Sequence, residues 1–228
     1  MTTVGLERKI LTRNDREAGA VRRRLAGQGT YAVNLISSPG SGKTSLLEAS
    51  IAALRPAFRI ASLVGDVATE LDAQRLTASG APSRQILTTG ACHLDARQIH
   101  ASLEDPDYLG LDLLFIENVG NLICPTSWDL GEDAKVALLS VAEGDDKPFK
   151  YPAIFSRAAV TVITKCDLLP HVRFDLDRAC SQLRTLNPEG AIFVTSVRTG
   201  EGLEAWHAHL TAGIARKRLA PLTAPQRV

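Results

Sequence analysis

The sequence predicts a doubly wound α/β fold, a mostly parallel sheet with helices on both faces. Three observations lead there. Apolar runs rich in β-branched residues recur at 31–36, 58–64, 84–88, 111–117, 134–141, 159–164 and 190–195. Helical patterns alternate with them, clearest at 43–54, 70–79, 94–104, 175–186 and 202–217. The runs are apolar throughout rather than at every second residue, as strands covered on both faces require.

The elements follow in chain order. A first helix at about 14–27 sets Arg13, Arg16, Arg22, Arg23 and Arg24 around Ala18, Ala20, Val21 and Leu25, which reads as a solvated face over an apolar stripe. Residues 1–30 are expected to form a helical segment packing on a single nucleotide-binding domain at 31–218. The first strand, Tyr31 to Ile36, runs into Ser38-Pro39-Gly40-Ser41-Gly42-Lys43-Thr44 and then a helix. This order is that of a phosphate-binding loop. Gly40 and Gly42 let backbone N–H groups curl around an anion at a helix N-terminus, Lys43 reaches the terminal phosphates, and the Thr44 hydroxyl suits Mg²⁺. Pro39, Ser41 and Ser45 complete the cradle. Ser37 stands where the general pattern has Gly.

In such a sheet ligands collect beyond the carboxyl ends of the strands. The second run leads to Gly65-Asp66-Val67-Ala68-Thr69, the third to Gly90-Ala91-Cys92-His93, and the fourth to Glu117-Asn118-Val119-Gly120. Asp66 and Glu117 are the acidic candidates for holding Mg²⁺ or its waters and for orienting an attacking water, with Asp66 favoured for the water; each could instead cap a helix. The run ending at residue 164 leads to Thr164-Lys165-Cys166-Asp167, similar to the N-K-x-D guanine-reading element with Thr for Asn. An ionised Asp167 accepts from N1–H and the exocyclic amine of guanine, which adenine cannot offer on that edge. Lys165 would lie along the base, with Ser196 and Val197 of Thr195-Ser196-Val197-Arg198 supporting it. Thr164 is expected to forgo one base and loop contact. After the last helix the segment from Leu219 reads as a loosely ordered tail, 219–228.

Bulk properties exclude several classes. The 228 residues suit one core. The 26 Lys and Arg nearly balance the 25 Asp and Glu, so no basic field favours nucleic acid. No run reaches membrane-spanning length, and the N-terminus has no signal-peptide core, so neither a membrane nor export is expected and a cytoplasmic location is. Four cysteines are too few and scattered for a disulfide framework. Cys92, His93 and Cys124 have the donor types for Ni²⁺ or Zn²⁺, but buried packing is the commoner fate of such residues, and residue types alone leave that choice open. Cys166 and Cys180 read as packing residues.

Taken together, residues 34–44, 65–73, Cys92-His93-Leu94-Asp95-Ala96, Glu117-Asn118-Val119-Gly120-Asn121-Leu122-Ile123-Cys124-Pro125 and 146–152 resemble the HypB family of hydrogenase nickel-incorporation GTPases, which belong to the dimerising phosphate-loop class. The resemblance implies a GTP-hydrolysing nickel metallochaperone for [NiFe]-hydrogenase. Its cofactors would be GTP, Mg²⁺ and Ni²⁺ or Zn²⁺, and GTP would promote a homodimer. Cys92, His93 and Cys124 would bind metal at the dimer interface. A nickel-delivering accessory protein and the hydrogenase large subunit would be partners. The chain lacks the C-x-x-C-G-C cluster and His-rich stretch of some relatives, which implies a separate nickel source. Alternatives are the urease accessory GTPase, which typically shows C-P-H here, a nucleotide-gated scaffold with little turnover, and an ATP-dependent kinase, for which no acceptor signature is present.

Overall fold

The computed structural model describes residues 3–66, 71–88 and 90–220, with side chains from residue 10 onward. Its strands are β1 Tyr31–Ile36, β2 Ile60–Asp66, β3 Ser83–Leu87, β4 Leu113–Glu117, β5 Ala134–Ser140, β6 Val160–Thr164 and β7 Ala191–Val194. They form one sheet in the order β3-β2-β4-β1-β5-β6-β7, every pair parallel. From β1 the chain builds out to the β3 edge through β2 and β3, then returns to β4 and builds toward β7 through β5 and β6, so the direction of winding switches beside β1. This places the loop after β1 at the crevice where such sheets bind ligands.

The helices are α1 Thr3–Gln28, α2 Lys43–Leu54, α3 Leu71–Ala78, α4 Ala96–Ser102, α5 Lys147–Lys150, α6 Pro152–Arg157, α7 Leu176–Leu186 and α8 Leu203–Leu219. Alternation along the strands divides the core between the two faces. From β1, Val33 and Leu35 pack with Leu47, Ile51, Trp206 and Leu210 of α2 and α8. Ala32 faces the other way, toward Val21 and Leu25 of α1 and Ile99 of α4. Ile36 joins Ile154, Phe155 and Leu183 beneath α6 and α7.

Two features were not anticipated. Helix α1 begins at Thr3, well before residue 14. Its buried Val21 and Leu25 share a cluster with strand residues Leu63 and Leu114, and Asn14 accepts from Ala96 N at 2.9 Å while donating to Asp129 O at 2.7 Å. The arginines of α1 are partly engaged, Arg22 with Asp129 at 2.6 Å and Arg24 with Glu104. Exposed pairs of this kind contribute at most about 1 kcal/mol, so apolar packing seats the helix. The short helices α5 and α6 were also unread. Pro148 and Pro152, each in the first turn, start them where periodicity over so few residues carries no signal. Among the described residues no helix is long and apolar enough to cross a membrane. The expected tail lies outside the described residues from 221 onward.

Candidate functional site

The loop after β1 is held open by glycine. Gly40 and Gly42 adopt φ of 74° and 94°, a region costly for residues with a Cβ, and Gly42 directly precedes α2. The first α2 residues therefore present unpaired N–H groups and the positive helix end to one side of the loop. Lys43 folds back over this loop and donates to Ser37 Oγ at 3.0 Å. Position 37, an exception to the general pattern, thus supplies a partner that Gly could not. Burial lowers the Lys43 pKa, and the charges of Glu117, Asp72, Glu143 and Asp66 oppose that shift.

A cleft of about 510 Å³ opens over the loop, and its walls include Pro39, Gly40, Gly42, Lys43, Thr44, Ser45, Asp66, Glu117 and Lys165. Nine sequence-derived candidates thus converge there. Thr44 Oγ1 donates to Glu117 Oε1 at 2.8 Å, joining α2 to the end of β4. Glu117 Oε2 is buried without a hydrogen-bond partner, and burial lifts the Glu117 pKa to about 7 against the lowering effects of Lys43 and Thr44. A buried carboxylate oxygen with spare acceptor capacity, beside a hydroxyl and near Asp66, is an all-oxygen donor set that fits Mg²⁺. Val67, Ala68 and Thr69, which follow Asp66, lie outside the described residues.

Ser41 turns its side chain away from the cleft, donating to Ser38 O at 2.8 Å and to Glu143. Lys147 completes that underside, 2.6 Å from Ser38 Oγ and 2.9 Å from Glu143. Sequence reasoning gave Glu143 and Lys147 no role. Their i, i+4 spacing in Glu143-x-x-x-Lys147 was the available signal.

The guanine-reading candidates form a second group at the end of β6. Thr164 Oγ1 donates to Ser41 O at 2.7 Å, so Thr makes the loop contact that was expected to be lost with Asn. Lys165 takes φ of 61° and reaches across to Gly40 O at 2.7 Å, which lays its stem along the cleft. Asp167 accepts from Ser196 Oγ at 2.6 Å and from Arg198 Nε at 2.8 Å, and these two bonds hold its pKa below the usual carboxylate range. Val197 lies beside them, 40% exposed. Thr164, Asp167, Ser196 and Val197 are not among the residues that line the phosphate cleft.

Cys92, His93 and Cys124 offer one ligand atom each, all within 4.8 Å of one another. Two loops bring them together. Thr88 Oγ1 donates to Ala91 O at 2.7 Å to shape the turn after β3, and Asp95 caps α4 in a reciprocal box with Gln98, fixing Cys92 and His93 between. Cys124 opens a 3₁₀ turn, Cys124–Ser127, beyond β4. Asn121 bridges the loops, donating to Cys92 O at 3.4 Å and accepting from Ile123 N at 2.8 Å. Hydrogen bonding toward Cys124 raises the Cys92 thiol pKa, and burial lowers that of His93, which favours the neutral imidazole. Cys166 and Cys180 are buried, in keeping with their reading as packing residues.

The two sites touch through Asn118, one residue beyond Glu117. Its side-chain oxygen accepts from Leu94 N at 3.2 Å and Val119 N at 3.0 Å, and its amide donates to Asn34 Oδ1 at 3.2 Å. Leu94 follows His93 directly and lies against Gly65, where a Cβ would come within 2.7 Å of its side chain. The end of β2 and the start of the loop after β4 thus abut the residue next to a metal-ligand candidate.

Residues 31–194 match the model of the CobW/HypB/UreG nucleotide-binding domain. The chain is 45% identical over 221 residues, 97% of its length and 71% of the relative's, to the hydrogenase maturation factor HypB of Azotobacter chroococcum mcd 1. It is 43% identical over 199 residues, 86% of its length and 81% of the relative's, to the hydrogenase/urease maturation factor HypB of Helicobacter hepaticus. The crystal structure of HypB from Helicobacter pylori in complex with nickel superposes with a TM-score of 0.85 at 38% identity, covering 92% of this chain and 98% of that one.

Proposed function

The chain belongs to the HypB hydrogenase maturation factors of the CobW/HypB/UreG nucleotide-binding family, and on that premise we propose that it is a GTP-hydrolysing nickel metallochaperone whose cargo is held by Cys92, His93 and Cys124. One observation carries this reading. The metal-ligand trio is one hydrogen bond removed, through Asn118 and Leu94, from the loop whose Glu117 holds Thr44.

In this account the backbone N–H groups from Gly40 to Ser45 cradle the phosphates, and Lys43 leaves Ser37 to meet the β- and γ-phosphates. Thr44, Glu117 and Asp66 would hold Mg²⁺, which when bound neutralises charge developing on the leaving phosphate oxygens. Asp66 orients the attacking water. Lys165 lies along the guanine, Asp167 reads its N1–H and exocyclic amine, and Ser196 keeps Asp167 in place. Lys147 and Glu143 brace the loop from below.

Three donors leave a transition-metal site incomplete, so two copies of the chain meeting in the GTP form would close a shared site. Hydrolysis then alters the loop after β4, and with it, through Asn118 and Leu94, the placement of His93. Nucleotide state and nickel affinity are linked reciprocally in such an arrangement. The nickel source is a separate accessory protein, the recipient is the hydrogenase large subunit, and the reaction takes place in the cytoplasm. A urease role is secondary, since Cys92-His93 lacks the intervening proline typical of the urease accessory GTPase.

Base recognition provides a direct test. Asp167→Asn removes a charged acceptor from two guanine donors, and hydrogen bonds to charged groups contribute about 1.5–3 kcal/mol, so GTP affinity should fall roughly 10- to 100-fold. ATP affinity should hold nearly constant. Competition binding with both nucleotides reads the ratio, and an unchanged preference for GTP would remove Asp167 from the base site.

A further inference from the structure

One residue beside the three donors is tied to both halves of the metal site, to His93 through its side chain and to the Cys124 turn through its backbone. The Trp128 indole stacks on the His93 imidazole, ring centroids 4.1 Å apart and planes 29° from parallel. Trp128 also ends the 3₁₀ turn that begins at Cys124, its N–H donating to Pro125 O at 3.3 Å. Its own carbonyl accepts from Lys135 Nζ at 2.5 Å, and Lys135 is paired with the buried Glu132 at 3.1 Å. The ring is therefore anchored to the sheet at its backbone, and its outer edge borders a cleft of about 220 Å³ against Ile10 and Asn14 of α1.

We propose that Trp128 is a positioning residue for the metal site: it sets the His93 ring plane and the distance between the Cys124 turn and the Cys92-His93 loop before metal arrives. This deepens the proposed function and rests on the reading of Cys92, His93 and Cys124 as ligands. An unrestrained imidazole on an intermediate-exposure loop samples several ring orientations. Stacking limits these to the one that leaves Nδ1 3.8 Å from Cys92 Sγ, with Cys124 beside both. Supporting residues of this sort usually act by hydrogen bonding the far imidazole nitrogen. None of the described hydrogen bonds to His93 comes from such a partner, and the aromatic face takes that place.

The test uses the full chain and Ni²⁺ alone, titrated against a competing chelator. Trp128→Ala should lower nickel affinity about 10- to 100-fold, the range for loss of a supporting residue. Trp128→Phe, which keeps a stackable ring, should restore most of it, whereas Trp128→Leu, which keeps apolar bulk without the stack, should not. Guanine nucleotide affinity should be the same in all three, separating a positioning role from general damage to the fold. The chain has two tryptophans, so Ni²⁺ should quench emission from the wild type but leave Trp128→Phe, where only Trp206 emits, almost unchanged. Cys92→Ala run in parallel distinguishes the two claims. If Cys92→Ala binds nickel normally, the metal site itself is misassigned. If Cys92→Ala loses nickel while Trp128→Ala or Trp128→Leu binds as the wild type does, or if quenching persists in Trp128→Phe, the positioning role is overturned.

Discussion

Lys43→Ala should lower GTP turnover by about 100- to 1,000-fold, the usual cost of removing one preorganised charge-stabilising donor. The structure gives the reason for so large an effect. Lys43 is the cation buried in the wall of the cleft, 8% exposed, and it already points along the phosphate loop toward Ser37. In phosphoryl transfer most of the rate comes from positioning and from charge that matches the spreading negative charge of the transition state. Alanine supplies neither, and the other cations around the loop are held elsewhere, Arg75 by Glu48, Lys165 by Gly40 O and Lys147 by Ser38 and Glu143. Folding should be little affected. The lysine pKa is lowered by burial, so its charge is held in the empty protein at a cost that alanine removes. Phosphate release at saturating GTP checks the prediction. A variant that hydrolyses GTP as fast as the wild type would reduce the protein to a nucleotide-gated scaffold.

Cys92→Ala should lower nickel affinity by more than about 100-fold, beyond the range for a supporting residue, because a first ligand is lost. GTP affinity should be retained. Cys92 is exposed and does not line the phosphate cleft, so its removal leaves the cleft intact. Cys124→Ala should behave alike, as its thiol belongs to the same group of donor atoms within 4.8 Å of one another. Isothermal titration with Ni²⁺, paired with nucleotide titration of the same samples, reads both affinities.

The fold was legible because its signals are local and redundant. Most strands are built on an apolar run, and β3, which carries Arg84 and Gln85, lies at the sheet edge where one is not required. The phosphate loop is the clearest case, since Gly40 and Gly42 are needed for backbone geometry whatever surrounds them. Donors that depend on tertiary approach were harder to see. Arg198 reaches Asp167 only because β7 lies beside β6, and Lys147 meets Ser38 across a separation of 109 residues. Thr164 shows a subtler limit. Its sequence change suggested a lost contact, but a hydroxyl one strand away from Ser41 restores it by geometry that the motif does not encode. Trp128 was invisible for the same reason, because it lies four positions after Cys124 in sequence while its partner, His93, comes from a different loop.

The coupling of nucleotide to nickel is the central claim, and the most direct measurement is nickel stoichiometry together with molecular mass, taken with Mg²⁺ and a non-hydrolysable GTP analogue and again without nucleotide. The account predicts a dimer in the analogue-bound form with nickel at the shared site, and loss of that nickel in Cys92→Ala while the nucleotide stays bound. Nucleotide binding with no nickel and no change in mass would contradict it, leaving a phosphate-loop nucleotidase without a metal cargo.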